Sequence, residues 1–213
     1  MTEPKRTSFE IYHKKEGFYW TTDRIVYSII IPCIVLFFIK NHFWGSEGDL
    51  FDKIVSFSMI GAFFYGTVMK LSGFVRHQPL KGKLEGTLIL EMDKISIDNQ
   101  VYNLDEIKKI EISNGDYRGQ FLYTSKGSFE ANLSQGVNNK IYITLNSGEI
   151  ISCAFLQFNR YDMADAKKQL INYHLKEKIH FLHLIDILGI TDYNQIQLFK
   201  KEIQWFQEDE LKS

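Results

Sequence analysis

The chain has 213 residues, enough for one or two domains. With 45% hydrophobic, 24% charged and 15% aromatic residues and only 3 Pro, its composition is that of a folded protein rather than a disordered one. Lys and Arg number 25 against 26 Asp and Glu, so no basic excess exists to neutralise a nucleic-acid backbone, and the two cysteines, Cys33 and Cys153, are too few and too far apart for a disulfide framework or a thiolate metal cage.

A mean hydropathy of -0.18 conceals an uneven distribution, because the long apolar runs all precede residue 76. After a polar lead read as a tail over residues 1–23, two uncharged stretches follow, Ile25 to Ile39 and Ile54 to Met69. Each alone covers only about 22 to 24 Å of a hydrocarbon core of roughly 30 Å. Their flanks supply the remainder. Arg24, Lys40, Lys53 and Lys70 can snorkel, with Arg76 beyond them, and Trp20 and Trp44 stand among Phe18, Tyr19, Phe43, Phe51 and Phe74 where interfacial aromatic belts are expected. The expected unit is a transmembrane helical hairpin over residues 24–74, with spans of about 24–44 and 53–74.

The linker from Gly45 to Asp52 holds Glu47, Asp49 and Asp52 and no cation, whereas Lys14, Lys15, Arg24, Lys70, Arg76, Lys81 and Lys83 lie on the other side. By the positive-inside rule both termini are cytoplasmic, at the inner membrane if the cell is bacterial. Ser58, Ala62 and Gly66 recur every four residues in the second span and form a small-residue stripe for close helix packing. Its partner is either the first span or a second copy of the chain, so a homo-oligomer stays open. Pro32 would kink the first span.

Residues 75–83 form a basic linker suited to an anionic leaflet. Strand patterning then begins. Leu84 to Glu91 and Lys94 to Asp98 are β-rich, Asp98, Asn99 and Gln100 supply a turn, and Lys140 to Leu145, Asn146-Ser147-Gly148 and Glu149 to Phe155 give the clearest hairpin signal. Helical spacing takes over near Tyr161, with Ala166, Leu170, Tyr173 and Ile179 as inward positions. A last amphipathic helix, capped by Thr191 or Asp192, carries an apolar stripe of Ile196, Phe199, Ile203 and Phe206. The expected β-domain spans 84–175 with its closing helix, a helical extension spans 176–213, and Leu84 to Ser213 is expected to fold alone.

The strand pair around Leu88 to Ile97, the run YNLDEIKKIEI from Tyr102 to Ile112, the hairpin NNKIYITLNSGEII from Asn138 to Ile151 and the helix near Tyr161 resemble the bacterial pleckstrin-homology-like domains of small membrane-anchored proteins. The resemblance covers less than half of the chain. It implies an α+β protein whose antiparallel sheet or open barrel is capped by a helix and used for binding rather than catalysis. Relatives that bind phosphoinositides have a basic motif between the first two strands, where this chain has Glu91, Met92, Asp93 and Lys94.

No nucleophile elbow, phosphate loop, dinucleotide fingerprint or zinc-protease motif occurs, so neither an enzyme nor a cofactor is expected. Glu177, His180, His183 and Asp186 recur every three residues, but on one helix each step drifts by about 60°, and no four-ligand metal set results. Asn132-Leu133-Ser134 is a glycosylation sequon, silent on a cytoplasmic face. Between Ser113 and Asn139, glycines 115, 119, 127 and 136 interrupt the chain, and Tyr117, Arg118, Asn138 and Asn139 offer stacking and hydrogen-bonding groups. These four are candidate ligand- or partner-binding residues; two plain hairpin loops would use the same residue types.

Two functions suit this outline. One is a non-enzymatic adaptor tethered to the lipid bilayer, whose β-domain binds a protein partner or small ligand. The other is a ligand-gated membrane effector, similar in outline to antiphage proteins that sense cyclic oligonucleotides and disrupt the inner membrane.

Overall fold

The computed structural model describes residues 6–43, 50–123 and 128–210. Trp44, most of the acidic linker and Gly127 lie outside the described residues. The chain divides into two compact units. One comprises Met1–Lys15, Gly82–Arg118 and Gly136–Ser213; the other comprises Glu16–Lys81 and Gly119–Gln135.

The first unit is built on a seven-stranded sheet. Its strands are β1 (Thr7–Lys14), β2 (Gly82–Leu90), β3 (Lys94–Ile97), β4 (Gln100–Asn103), β5 (Ile107–Ser113), β8 (Asn139–Leu145) and β9 (Ile150–Phe155), in the spatial order β4-β3-β2-β1-β9-β8-β5. All neighbouring pairs with a registered ladder are antiparallel. The strand missing from the sequence reading is β1. Residues read as part of a tail form a central strand, pairing Thr7 with Leu90 and Lys14 with Gly82 on one side and Ile11 with Phe155 on the other. Thr7, Phe9 and Ile11 are buried in alternation with exposed Ser8 and Glu10, which is the period-2 pattern of a strand packed on one face.

The expected hairpin is β8 and β9, with Thr144 opposite Ile150 and Gly148 in the connecting turn at φ 91°. Ile141 and Ile143 point inward with Ile107, Ile110, Leu88, Leu90, Ile95 and Phe155. Onto this face pack α3 (Lys167–Leu175), entered through a 3-10 turn at Asp162–Ala166, then α4 (Phe181–Ile187) and α5 (Tyr193–Glu210). Ala166, Leu170, Tyr173 and Ile179 are all buried, as their spacing suggested. In α5, Phe199 and Ile203 join the core and Phe206 packs against it, so the apolar stripe serves the domain itself. Asp192 is the cap, its carboxylate accepting the Gln195 N–H.

The edge strand β5 is covered. Its Ile110 N–H donates to the Lys178 carbonyl, its Ile112 N–H donates to His183 Nε2, and the Lys178 ammonium donates to the Ile107 carbonyl. An open strand edge would invite pairing with another chain, and these groups occupy it. Glu177, at φ 60°, breaks the helix between α3 and α4, so Glu177, His180, His183 and Asp186 do not share one helix. Among the described residues no group of three or more His, Cys, Asp or Glu side chains is placed to hold a metal ion.

The second unit contains the two apolar helices, α1 (Thr22–Phe43) and α2 (Leu50–Ser72), packed along each other. Both are long and apolar enough to cross a membrane, and only 6% and 17% of their most apolar windows are buried within the protein. A core helix of a water-soluble domain would bury most of that surface. The segment 119–135, which the chain inserts between β5 and β8, belongs to this unit and carries the short pair β6 (Arg118–Phe121) and β7 (Leu133–Gln135).

Candidate functional site

The Gly-interrupted region 113–139 is split between the two units at Arg118 and Gly136. Its ends, in the sheet domain, hold the four residues singled out in the sequence. Asn139 is fully buried: its Oδ1 accepts the Asp116 N–H, and its Nδ2 donates to the carbonyls of Gly136 and Phe155. It ties the start of β8 to two neighbouring turns and is not displayed for a ligand. Asn138 is exposed, but its backbone N–H is taken by the Asp116 carboxylate. Tyr117 is half-buried. Arg118 alone of the four projects a charge into solvent, its guanidinium carbon 5.9 Å from the centre of the Phe158 ring.

Gly136 explains why these ends stay together. It adopts φ 76°, and a Cβ there would lie 2.2 Å from the Gln157 carbonyl and 2.5 Å from the Arg118 nitrogen. Both atoms are engaged in one crossing, where the Arg118 N–H donates to the Gln157 carbonyl and the Gln157 N–H to the Gly136 carbonyl. Only glycine fits this approach. Arg118 is therefore an exposed cation on an immobilised backbone.

The middle of the region grips the ends of the two apolar helices. The Asp23 carboxylate, in the first turn of α1, accepts the Phe129 N–H and the Ser128 hydroxyl, and the Glu130 carboxylate accepts the Asp23 N–H. Acceptors at a helix N-terminus satisfy orphan donors and complement the helix dipole. Phe129 lies 6.0 Å, ring centre to ring centre, from Tyr27 of α1 and against Gly66 of α2. A Cβ at Gly66 would meet the Phe129 ring at 2.8 Å. After α2, the Asn132 N–H donates to the Gly73 carbonyl, the Leu133 N–H to the Arg76 carbonyl, and Phe74 stacks on Phe121 with ring centres 6.0 Å apart. Asn132, the sequon residue, is buried.

These contacts revise the small-residue stripe. Ala62 and Gly66 are buried, yet Gly66 accommodates an aromatic ring, and Ser58 is exposed; Val55 is the other buried position of α2. Lys40 does not stand free at an interface. It is buried and ion-paired with Asp52, where the cation closes the C-terminal turn of α1 and the anion the N-terminal turn of α2. Lys53 is exposed and Lys70 half-buried. Arg24 donates to the Tyr19 carbonyl at 2.7 Å and lies over the Phe18 ring, itself edge-on to exposed Trp20. Arg76 donates through Nη2 to the Met69 carbonyl at the end of α2.

The turn between β2 and β3, at residues 91–94, is closed. The Tyr173 hydroxyl donates to the Glu91 carbonyl, Asn172 Nδ2 donates to the Met92 carbonyl, and Lys94 pairs with Glu91 at 3.5 Å. Burial of Tyr173 pushes its hydroxyl above the ordinary tyrosine range and keeps it a neutral donor. The grip of 128–130 on α1 leaves no periodic signal in the sequence, because it is made by three consecutive residues, one of them through its backbone.

No protein-family model, curated protein or solved structure matches the chain.

Proposed function

We propose that the protein is a membrane-tethered, non-enzymatic binding protein: α1 and α2 span the bilayer, and the sheet domain, of pleckstrin-homology-like type, binds a partner on the cytoplasmic side. The observation that carries this reading is the pairing of two largely unburied apolar helices with a separately cored sheet domain in one chain. Arg118, exposed and fixed beside Phe158, is the donor for an anionic group of the partner.

A second reading, a ligand-gated membrane effector, is favoured by the grip of Ser128, Phe129 and Glu130 on α1 and α2, since the segment that makes it is an excursion from the sheet domain. Ligand binding near Arg118 and Gly136 could pull on that grip through covalent continuity alone. The two readings part in sealed, dye-loaded vesicles carrying the full chain. Both require that alkaline carbonate leave the protein in the membrane. A tether leaves the vesicles sealed with native protein and with Phe129→Ala; an effector held closed by Phe129 leaks once that side chain is removed. Release of the protein by carbonate would defeat both.

A further inference from the structure

At the end of the helical hairpin where α1 begins and α2 has ended, the second unit contains a cavity of about 190 Å³. Its walls include Trp20, Thr21 and Thr22 before and at the start of α1, Arg76 and His77 after α2, and Glu130 from the gripping segment. This is well below the roughly 300–1,000 Å³ of sites for drug-sized ligands, so it admits a small polar group and no nucleotide-sized molecule.

The charges on the walls select what enters. Arg76 spends one donor on the Met69 carbonyl, while its Nε–H is shielded from solvent and has no hydrogen-bond partner. A shielded donor of a charged group left unmatched is costly, and an oxyanion is its natural acceptor. Glu130 would repel a simple anion, and Arg76 a simple cation. A zwitterion satisfies both. Trp20, 67% exposed at the boundary of the apolar helices, and the hydroxyl-bearing Thr21 and Thr22 have the character of a membrane–water interface.

We propose that this cavity binds the headgroup of a zwitterionic phospholipid carrying a primary amine, with the phosphate on Arg76 and His77 and the ammonium on Glu130. The acyl chains would then run along the exposed apolar faces of α1 and α2, so the proposal rests on the membrane reading above. It makes the hairpin a lipid-selective anchor rather than a generic one.

The test uses the full chain in uncharged detergent micelles, with Trp44→Phe and Trp205→Phe leaving Trp20 as the only tryptophan, excited selectively over the tyrosines. Short-chain phosphatidylethanolamine is expected to give a saturable change in Trp20 emission. Phosphatidylcholine, whose quaternary ammonium has no proton to donate, and phosphatidylglycerol, which has no ammonium, are each expected to bind about tenfold more weakly. Glu130→Gln keeps an acceptor for the Asp23 N–H while removing the charge, and should move the preference from the ethanolamine to the glycerol lipid. Arg76→Gln should abolish binding of all three; if it unfolds the protein by uncapping α2, the Glu130→Gln exchange decides alone.

Equal binding of the three lipids, or an unchanged order in Glu130→Gln, overturns the proposal. Soluble phosphoethanolamine binding as tightly as the lipid would overturn the lipid source. Failure of the membrane reading is seen separately, as release of the unmutated protein by carbonate.

Discussion

Asn139 and Arg118 show how differently two residues from one Gly-rich region can be used. Asn139 makes three hydrogen bonds at zero exposure, so Asn139→Ala would strand the buried Asp116 N–H and remove the side-chain donor shared by the Gly136 and Phe155 carbonyls. We expect a loss of about 2–4 kcal/mol of stability, read by denaturant unfolding in detergent. Arg118→Ala should change stability by no more than about 0.5 kcal/mol while abolishing capture of the partner in a pull-down. Unfolding by Arg118→Ala would make the residue structural, and unaltered capture would place the partner site elsewhere. Cys153 on β9 gives a pH-dependent prediction. Burial, with a smaller contribution from Asp98, pushes its thiol up to about 12 from an ordinary value of 9.0. Because the unfolded thiol ionises first, the native state holds more protons between pH 9 and 12. The stability contributed by the neutral buried thiol is complete below about pH 9 and is lost as pH rises toward 12. In Cys33→Ser protein, iodoacetamide at pH 8 should modify Cys153 at least about tenfold more slowly when folded than when unfolded. Equal rates would show that the thiol is not protected.

At the scale of elements, β1 changes what counts as the sheet domain. Strand patterning begins at Leu84, but β1 lies between β2 and β9, and without it the sheet separates into two three-stranded pieces. The fragment 84–213 should therefore fail to unfold cooperatively. Lys14 faces Gly82 directly across the ladder, so a short Gly-rich turn can join residue 15 to residue 82 in place of the hairpin. That fusion, retaining 119–135, should show mixed α and β circular dichroism and a single thermal transition. A folded 84–213 fragment would contradict the central role of β1. The strand is not legible in the sequence because Thr7, Phe9 and Ile11 are only three inward positions, and nothing local tells a strand paired on both sides from a polar tail; its partners begin about 70 residues later. The β8–β9 hairpin was legible because its alternation, its turn and its partner all fall within 17 residues.

At the scale of the whole molecule, the chain passes between its two units at residues 15/16, 81/82, 118/119 and 135/136. If the Lys and Arg flanks orient the hairpin, a cysteine introduced at Ser46, in Cys33→Ser/Cys153→Ser protein, should react with a membrane-impermeant thiol reagent added outside the cell. One introduced at Lys15 should react only after the membrane is opened. The opposite pattern would reverse the topology.

Residues near one another in the chain already determined the two apolar helices, the sheet hairpin at 139–155, the inward Leu170 and Tyr173 of α3 and the apolar stripe of α5. Each depends on a period of 2.0 or 3.6 that is written locally. Tertiary structure alone decided that β1 is central, that Asn139 is buried, that Lys40 pairs with Asp52, that His183 closes a strand edge, and that Phe129 fills the space left by Gly66. All five depend on which distant segment arrives beside a residue, and hydrogen bonding, charge pairing and van der Waals contact act only at that range.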